Sequence, residues 1–223
     1  PVRIAANIAN GIKHAFKEFQ ASEIIIGLHA HPELSPRFWG QFHQSLFNGL
    51  RKQIIMARLH TPLNTIRKIH VAVPSRSQYE PGFYRYINRL AHLAENLECG
   101  INFNGRADTL QLIHEYMNAI HKRVRATYCE MEHWNGLPGL ASTIKEDHLF
   151  VVVTARKGTV SYKNAQERLP EELTQYFTGK NLLIIFPDQH GDASAMTFAA
   201  PTHTEELSAY DNIRIFFNKM FRS

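Results

Sequence analysis

The sequence predicts an α/β protein: a doubly wound parallel sheet, preceded by half of a second unit of the same kind. Three observations carry this. Short apolar or β-branched runs alternate with stretches whose apolar residues recur at helical spacing. The runs Leu149–Val153 and Leu182–Phe186 are apolar throughout, as strands covered on both faces are. The pattern also starts, stops at a turn-rich segment, and starts again in full, an internal half-repeat.

Residues 1–60 read as the C-terminal half of a first unit. Ile4, Ile8, Ile12, Ala15, Phe16 and Phe19 share one helical face. Ser22–Leu28, with three successive isoleucines, reads as a buried strand. Pro36 precedes a second helix carrying Trp39, Phe42, Leu46 and Leu50, and Ile54-Ile55-Met56 is the next strand. Thr61-Pro62-Leu63-Asn64 is a linker, since Pro and Asn punctuate turns.

Residues 66–187 form the complete unit. Its strands are Ile69–Val73, Ile101–Phe103, Val124–Tyr128, His148–Ala155 and Leu182–Phe186. Glu80-Pro81-Gly82 opens a helix striped by Phe83, Ile87, Leu90, Ala94 and Leu97; a proline that early removes no needed N–H. Asp108 or Thr109 is expected to cap the next helix, which carries Leu110, Ile113, Met117 and Ile120. Trp134–Ile144 is a loop with a short helix, and Pro170–Phe177 a helix stopped at Gly179. Right-handed crossovers give strand order 3-2-1-4-5, with ligands bound beyond the C-terminal strand ends. Gln53–Arg58 is expected to dock beside Leu182–Phe186, because its apolar edge needs a cover. The open edge of Ile24–Gly27 is expected to pair with a second copy, making a homodimer.

Residues 188–223 break the pattern. A small, polar loop over Gly191–Thr204 leads to a basic amphipathic helix. Ile213, Phe216, Phe217, Met220 and Phe221 form its stripe, opposite Arg214, Lys219 and Arg222. That stripe is expected to pack on this domain or to dock on a membrane surface.

Composition narrows the classes. Of 223 residues, 44% are hydrophobic and 20% charged, which excludes disorder and low complexity. No apolar run exceeds strand length, so no membrane span is expected. Cys99 and Cys129 offer neither a disulfide framework nor zinc spacing, pointing to a reduced, cytosolic setting. A net charge of +5 without a dense basic run does not imply nucleic acid. The chain opens with Pro1 and carries no signal peptide, so it is expected to come from a longer protein.

Catalytic motifs are lacking: neither a phosphate-binding G-x-x-x-x-G-K-[ST] nor G-x-G-x-x-G nor G-x-S-x-G occurs. His29, His31 and His43 read as loop histidines rather than metal ligands, and the two thiols as inert. Trp134, following Glu130, Glu132 and His133, either packs its loop on the sheet or lines a binding site. Arg156 and Lys157, with Ser161, either meet an anion or form a solvated basic loop.

The segment Gly27 to Gln41 resembles the nucleotide loop of universal stress proteins, G-x-x-G, nine residues, then G-[ST]. Gly27 and Gly40 match; Ala30 replaces the second glycine and Gln41 the hydroxyl residue. Glycines there let backbone N–H groups approach phosphate, and the hydroxyl donates to it. Pro74 stands where nucleotide-binding relatives commonly place an Asp. Each lost bond to a charged phosphate costs about 1.5–3 kcal/mol, so nucleotide binding is expected to be weak or absent.

Several phrases together resemble the cytoplasmic C-terminal region of bacterial cation:proton antiporters. They are Ala5–Ile12, Ile26–His29, Pro62–Thr65, Val151–Lys157 with Ser161-Tyr162, and Ile185–Gly191. The resemblance implies tandem stress-protein-like domains behind a membrane exchanger, at the cytoplasmic face of the inner membrane. The membrane domain of the same chain would be the partner. The role implied is regulatory, with no catalysis and no cofactor. The alternative is a stand-alone, nucleotide-binding universal stress protein.

Overall fold

Among the described residues, the apolar runs form the strands of one sheet. The computed structural model describes residues 8–28 and 50–190. The helix expected after Pro36, the positions Ala30, Gly40 and Gln41, the histidines 29, 31 and 43, and the tail beyond 190 lie outside the described residues. The described elements are α1 (Ile8–Glu18), β1 (Glu23–Gly27), β2 (Gln53–Arg58), β3 (Lys68–Ala72), α2 (Phe83–Asn96) and β4 (Gly100–Gly105). They continue with α3 (Ala107–Ile120), β5 (Ala126–Glu130), β6 (His148–Val153), α4 (Leu169–Tyr176) and β7 (Asn181–Phe186).

The strands form one sheet in the order β1-β2-β7-β6-β3-β4-β5. From β5 inward, the last five follow the expected 3-2-1-4-5, all parallel. The sheet does not stop there. β2 pairs antiparallel with β7, Ile55 opposite Ile185, and β1 extends the sheet parallel to β2. The expected docking of Gln53–Arg58 on Leu182–Phe186 is this joint.

The pleat sends alternate side chains to opposite faces. Ile69, Val71, Ile101, Phe103, Val151 and Ile185 pack under α2 and α3. Ile54, Met56, Phe150, Val152, Leu182 and Ile184 face the other way, onto Phe16, Leu169, Leu173 and Phe177. Two covered faces are why β6 and β7 are apolar without alternation.

Local details differ from expectation. β1 stands at the end of the sheet among the described residues, as the expected open edge of Ile24–Gly27 requires, but it is not the buried strand expected, since Ile25 is 67% exposed. α2 begins at Phe83, with Gly82 at the N-cap and Pro81 outside the helix. Arg106, not Asp108 or Thr109, is the N-cap of α3. The Thr109 hydroxyl instead donates to Gln78 Oε1 (2.7 Å). Asp108 lies in the first turn, where a carboxylate favours the helix dipole.

His70 and His148 meet between β3 and β6. The Lys145 amide donates to His148 Nδ1 (3.2 Å), so that nitrogen is an acceptor, and His70 Nε2–H donates to it (3.1 Å). Burial, reinforced by the charges of His148 and Lys68, pulls the His70 pKa down to about 4. Burial lowers that of His148 as well. The unfolded chain takes up these protons near pH 6.5. It therefore binds more protons than the native state between 6.5 and about 4, and stability present above 6.5 is lost as pH falls through that window. Urea titrations are expected to give about 2–3 kcal/mol less stability at pH 4.5 than at pH 7. His70→Leu should flatten most of that slope; an unchanged slope would assign it to other groups.

Candidate functional site

Strand order reverses between β3 and β6, and a sheet of this kind opens a crevice at such a point, beyond the C-terminal strand ends. A cleft of about 360 Å³ lies at the ends of β3, β4 and β5. Val73 to Arg76 enter it after β3, Arg106 after β4, Met131 to Asn135 after β5, and Lys163, Ala165 and Gln166 from the segment before α4. Arg76 holds a left-handed backbone (φ 65°) at the rim. Arg106 pairs with Asp108 at 3.3 Å with both side chains half exposed, so the pair contributes little stability and the guanidinium stays accessible.

Two cleft residues carry buried polar atoms without hydrogen-bond partners among the described residues. Trp134 packs against the second apolar core, yet its Nε1–H has no acceptor. Gln166 donates from Nε2 to Ser161 O (3.5 Å), and its Oε1 has no donor. A donor, an acceptor, an indole and the cations Arg76, Arg106 and Lys163, against the single carboxylate of Glu132, form a set suited to holding a flat molecule with negative charge. Trp134 thus packs its loop on the sheet, the first of its two expected roles, and also stands in the wall of the cleft. Pro74 lines the same cleft, where it supplies no carboxylate and no N–H.

The other sequence-derived positions lie elsewhere. Gly27 ends β1, paired with Ala57 of β2. Arg156, Lys157 and Ser161 do not form a single anion site. Arg156 is buried, and its guanidinium donates to the carbonyls of Leu50 and Lys52, tying the segment before β2 to the loop after β6. Burial lowers its pKa to about 10, opposed by Asp188 and Glu80, so the cation persists at neutral pH. Ser161 donates to Glu80 Oε1 from both N (3.0 Å) and Oγ (2.6 Å), placing a carboxylate where an anion was expected. Lys157 faces solvent, 3.7 Å from Glu167.

Sequence reasoning missed Glu80, Arg85 and Asp188, and the cleft cations. Asp188 is fully buried, pairs with Arg85 Nη1 at 2.9 Å and accepts from His190 N at 2.6 Å. Gly82 permits this approach: a Cβ there would lie 2.5 Å from the Asp188 carbonyl oxygen. Arg76 and Arg106 had a readable signal, since each closely follows a strand. Glu80 and Asp188 had none, their partners being 81 and 103 residues away.

No family model matches the chain, and no curated protein matches it in sequence. Solved structures do match. A functionally unknown protein from Pseudomonas aeruginosa PAO1 superposes with a TM-score of 0.52 at 14% identity, over 82% of this chain and 69% of its own. A universal stress protein from Archaeoglobus fulgidus DSM 4304 gives 0.53 at 10% identity, over 82% and 66%. The cytoplasmic domain of a prokaryotic cation chloride cotransporter gives 0.53 at 12% identity, over 85% and 73%. At such identities the likeness is one of fold alone, and the fold of this chain is universal stress protein-like.

Proposed function

We propose that this chain is a non-catalytic regulatory domain of a monovalent cation:proton antiporter. It acts at the cytoplasmic face of the inner membrane on the membrane domain of the same chain. The observation that carries the reading is the β2–β7 joint. Through it, two strands of a partial unit continue the sheet of a complete one, the tandem arrangement that the antiporter-like phrases imply. The shared fold with a transporter's cytoplasmic domain supports the reading at the level of architecture. Among the described residues no helix is long and apolar enough to cross a membrane.

The cleft gives regulation a place to act. A ligand shifts transport only by binding one transporter state better than the other. Its cations also favour a second reading, a stand-alone nucleotide-binding stress protein. Calorimetry with ATP separates the two: the proposal expects no micromolar affinity, because Pro74 faces the cleft and Ala30 and Gln41 depart from the phosphate loop. Micromolar binding that weakens at least tenfold in Arg106→Ala would favour the stand-alone reading. A transport assay uses the complete antiporter chain in everted vesicles, with a pH-sensitive dye. Deleting this domain or introducing Arg106→Glu is expected to change the half-saturating cation concentration about fivefold or more. Transport indifferent to both changes would overturn the proposal.

A further inference from the structure

The C-terminal ends of α2 and α3 meet at a cluster that the functional reading does not use. Asn88, His92 and Glu95 lie on one face of α2, at positions i, i+4 and i+7. His121 is the C-cap of α3. His92 Nδ1 lies 3.2 Å from Glu95 Oε2, and His121 Nδ1 lies 3.5 Å from Glu95 Oε1. One ligand atom from each of the three residues falls within 4.8 Å of the others. We propose that His92, Glu95 and His121 form a binding site for a divalent transition metal such as Zn²⁺, which clamps the ends of the two helices together.

The chemistry of the donors selects the metal class. Two imidazoles and one carboxylate suit zinc and its neighbours, whereas calcium and magnesium prefer oxygen alone. Zinc bonds of about 2.0–2.1 Å in a tetrahedron place ligand atoms roughly 3.3–3.4 Å apart. The separations of 3.2 and 3.5 Å, made to the two different oxygens of Glu95, lie on either side of that value, and the ligand atoms, within 4.8 Å of one another, have to close by up to about 1.4 Å through rotation of the side chains. Water would fill the fourth position, and the half-exposed His92 side chain leaves a path from solvent.

A second observation points the same way. His121 Nε2 lies 2.8 Å from Asn88 Oδ1 and donates to it. Ligating histidines are commonly held by such a bond on the far nitrogen. In the neutral ring this tautomer turns the Nδ1 lone pair toward a Glu95 oxygen 3.5 Å away, so the two groups attract only when a proton or a metal ion bridges them. A divalent cation supplies that bridge where the ring is neutral. The backbone that carries the ring is held as well, since His121 N donates to Met117 O (2.8 Å) and His121 O accepts from Val124 N (3.0 Å). Both helices also direct the negative ends of their dipoles here.

The test is titration of the full 223-residue chain with ZnCl₂ by calorimetry and by competition with a chromogenic chelator. One equivalent is expected to bind with low-micromolar Kd and to raise the melting temperature, as any ligand of the native state does. His92→Ala and Glu95→Gln, at accessible side chains, should keep the fold and weaken binding at least tenfold, with the thermal shift lost. His121→Ala tests the buried ligand. Should it fail to fold, the other two variants still decide the matter. Absence of stoichiometric binding, or equal affinity in wild type and both accessible variants, would overturn the proposal. The second result would assign the metal to others of the 13 histidines.

Discussion

Asp188→Ala is expected to lower stability by about 3–5 kcal/mol, the range for breaking a buried ion pair from one side. Asp188 has no exposed surface, and the Arg85 side chain is only 13% exposed. Removing the carboxylate leaves the guanidinium in a low-dielectric site without its counter-charge. It also removes the acceptor for the His190 amide and one of the two carboxylates that offset the Arg156 cation. Collapse gives little relief, because the Asp188 backbone already abuts Gly82. The double replacement Asp188→Ala with Arg85→Met should recover much of the loss, since the Arg85 charge is then gone and Arg156 keeps Glu80 as its counter-charge. Urea unfolding of the two single variants and the double variant measures this. A loss below about 1 kcal/mol in Asp188→Ala would mean that the pair behaves as an exposed one.

Phe150→Ala is expected to cost a similar 3–5 kcal/mol by a different route, a cavity in the second apolar core. Phe150 is at the centre of β6, fully buried, with its ring stacked on Phe177 at 4.4 Å between centroids. β6 is held between β3 and β7, so its backbone is not free to sink into the void. Phe177 stands at the end of α4, and its carbonyl accepts from Arg58 Nη2 of β2 (3.1 Å). The cavity therefore loosens both α4 and the tie to the partial unit. Phe150→Leu, which refills most of the space, should cost under half as much. Hydrogen exchange should show protection falling first in α4; protection falling first around β4 and β5 would place the effect on the wrong side of the sheet.

Most of the sheet was legible because its causes are local or general. Apolar runs bounded by turn residues located β2, β3, β4, β6 and β7, and helical spacing located α1, α2, α3 and α4. Handedness of crossovers then limited the strand order, and an uncovered apolar edge on Gln53–Arg58 led to its place beside β7. The exposure of Ile25 was not legible: three isoleucines in a row read as buried, and the run itself does not say whether another element covers each face of the strand.

The site was less legible for a physical reason. Side chains such as Arg156 and Ser161 are polar, so composition and loop position place them in solvent or against a ligand. Their burial depends on carbonyls at Leu50 and Lys52 and a carboxylate at Glu80, brought from other segments only when the sheet closes. The same holds for His92, Glu95 and His121. Helical spacing pairs the first two, but only the docking of α2 on α3 brings the third within reach. By itself the sequence determined the class of fold, the order of its strands and the joint between its parts, since these follow from periodicity and chain chirality. Tertiary structure alone decided which charges are buried and with whom, because an ion pair is a property of distance and dielectric, and a linear chain specifies neither until it is packed.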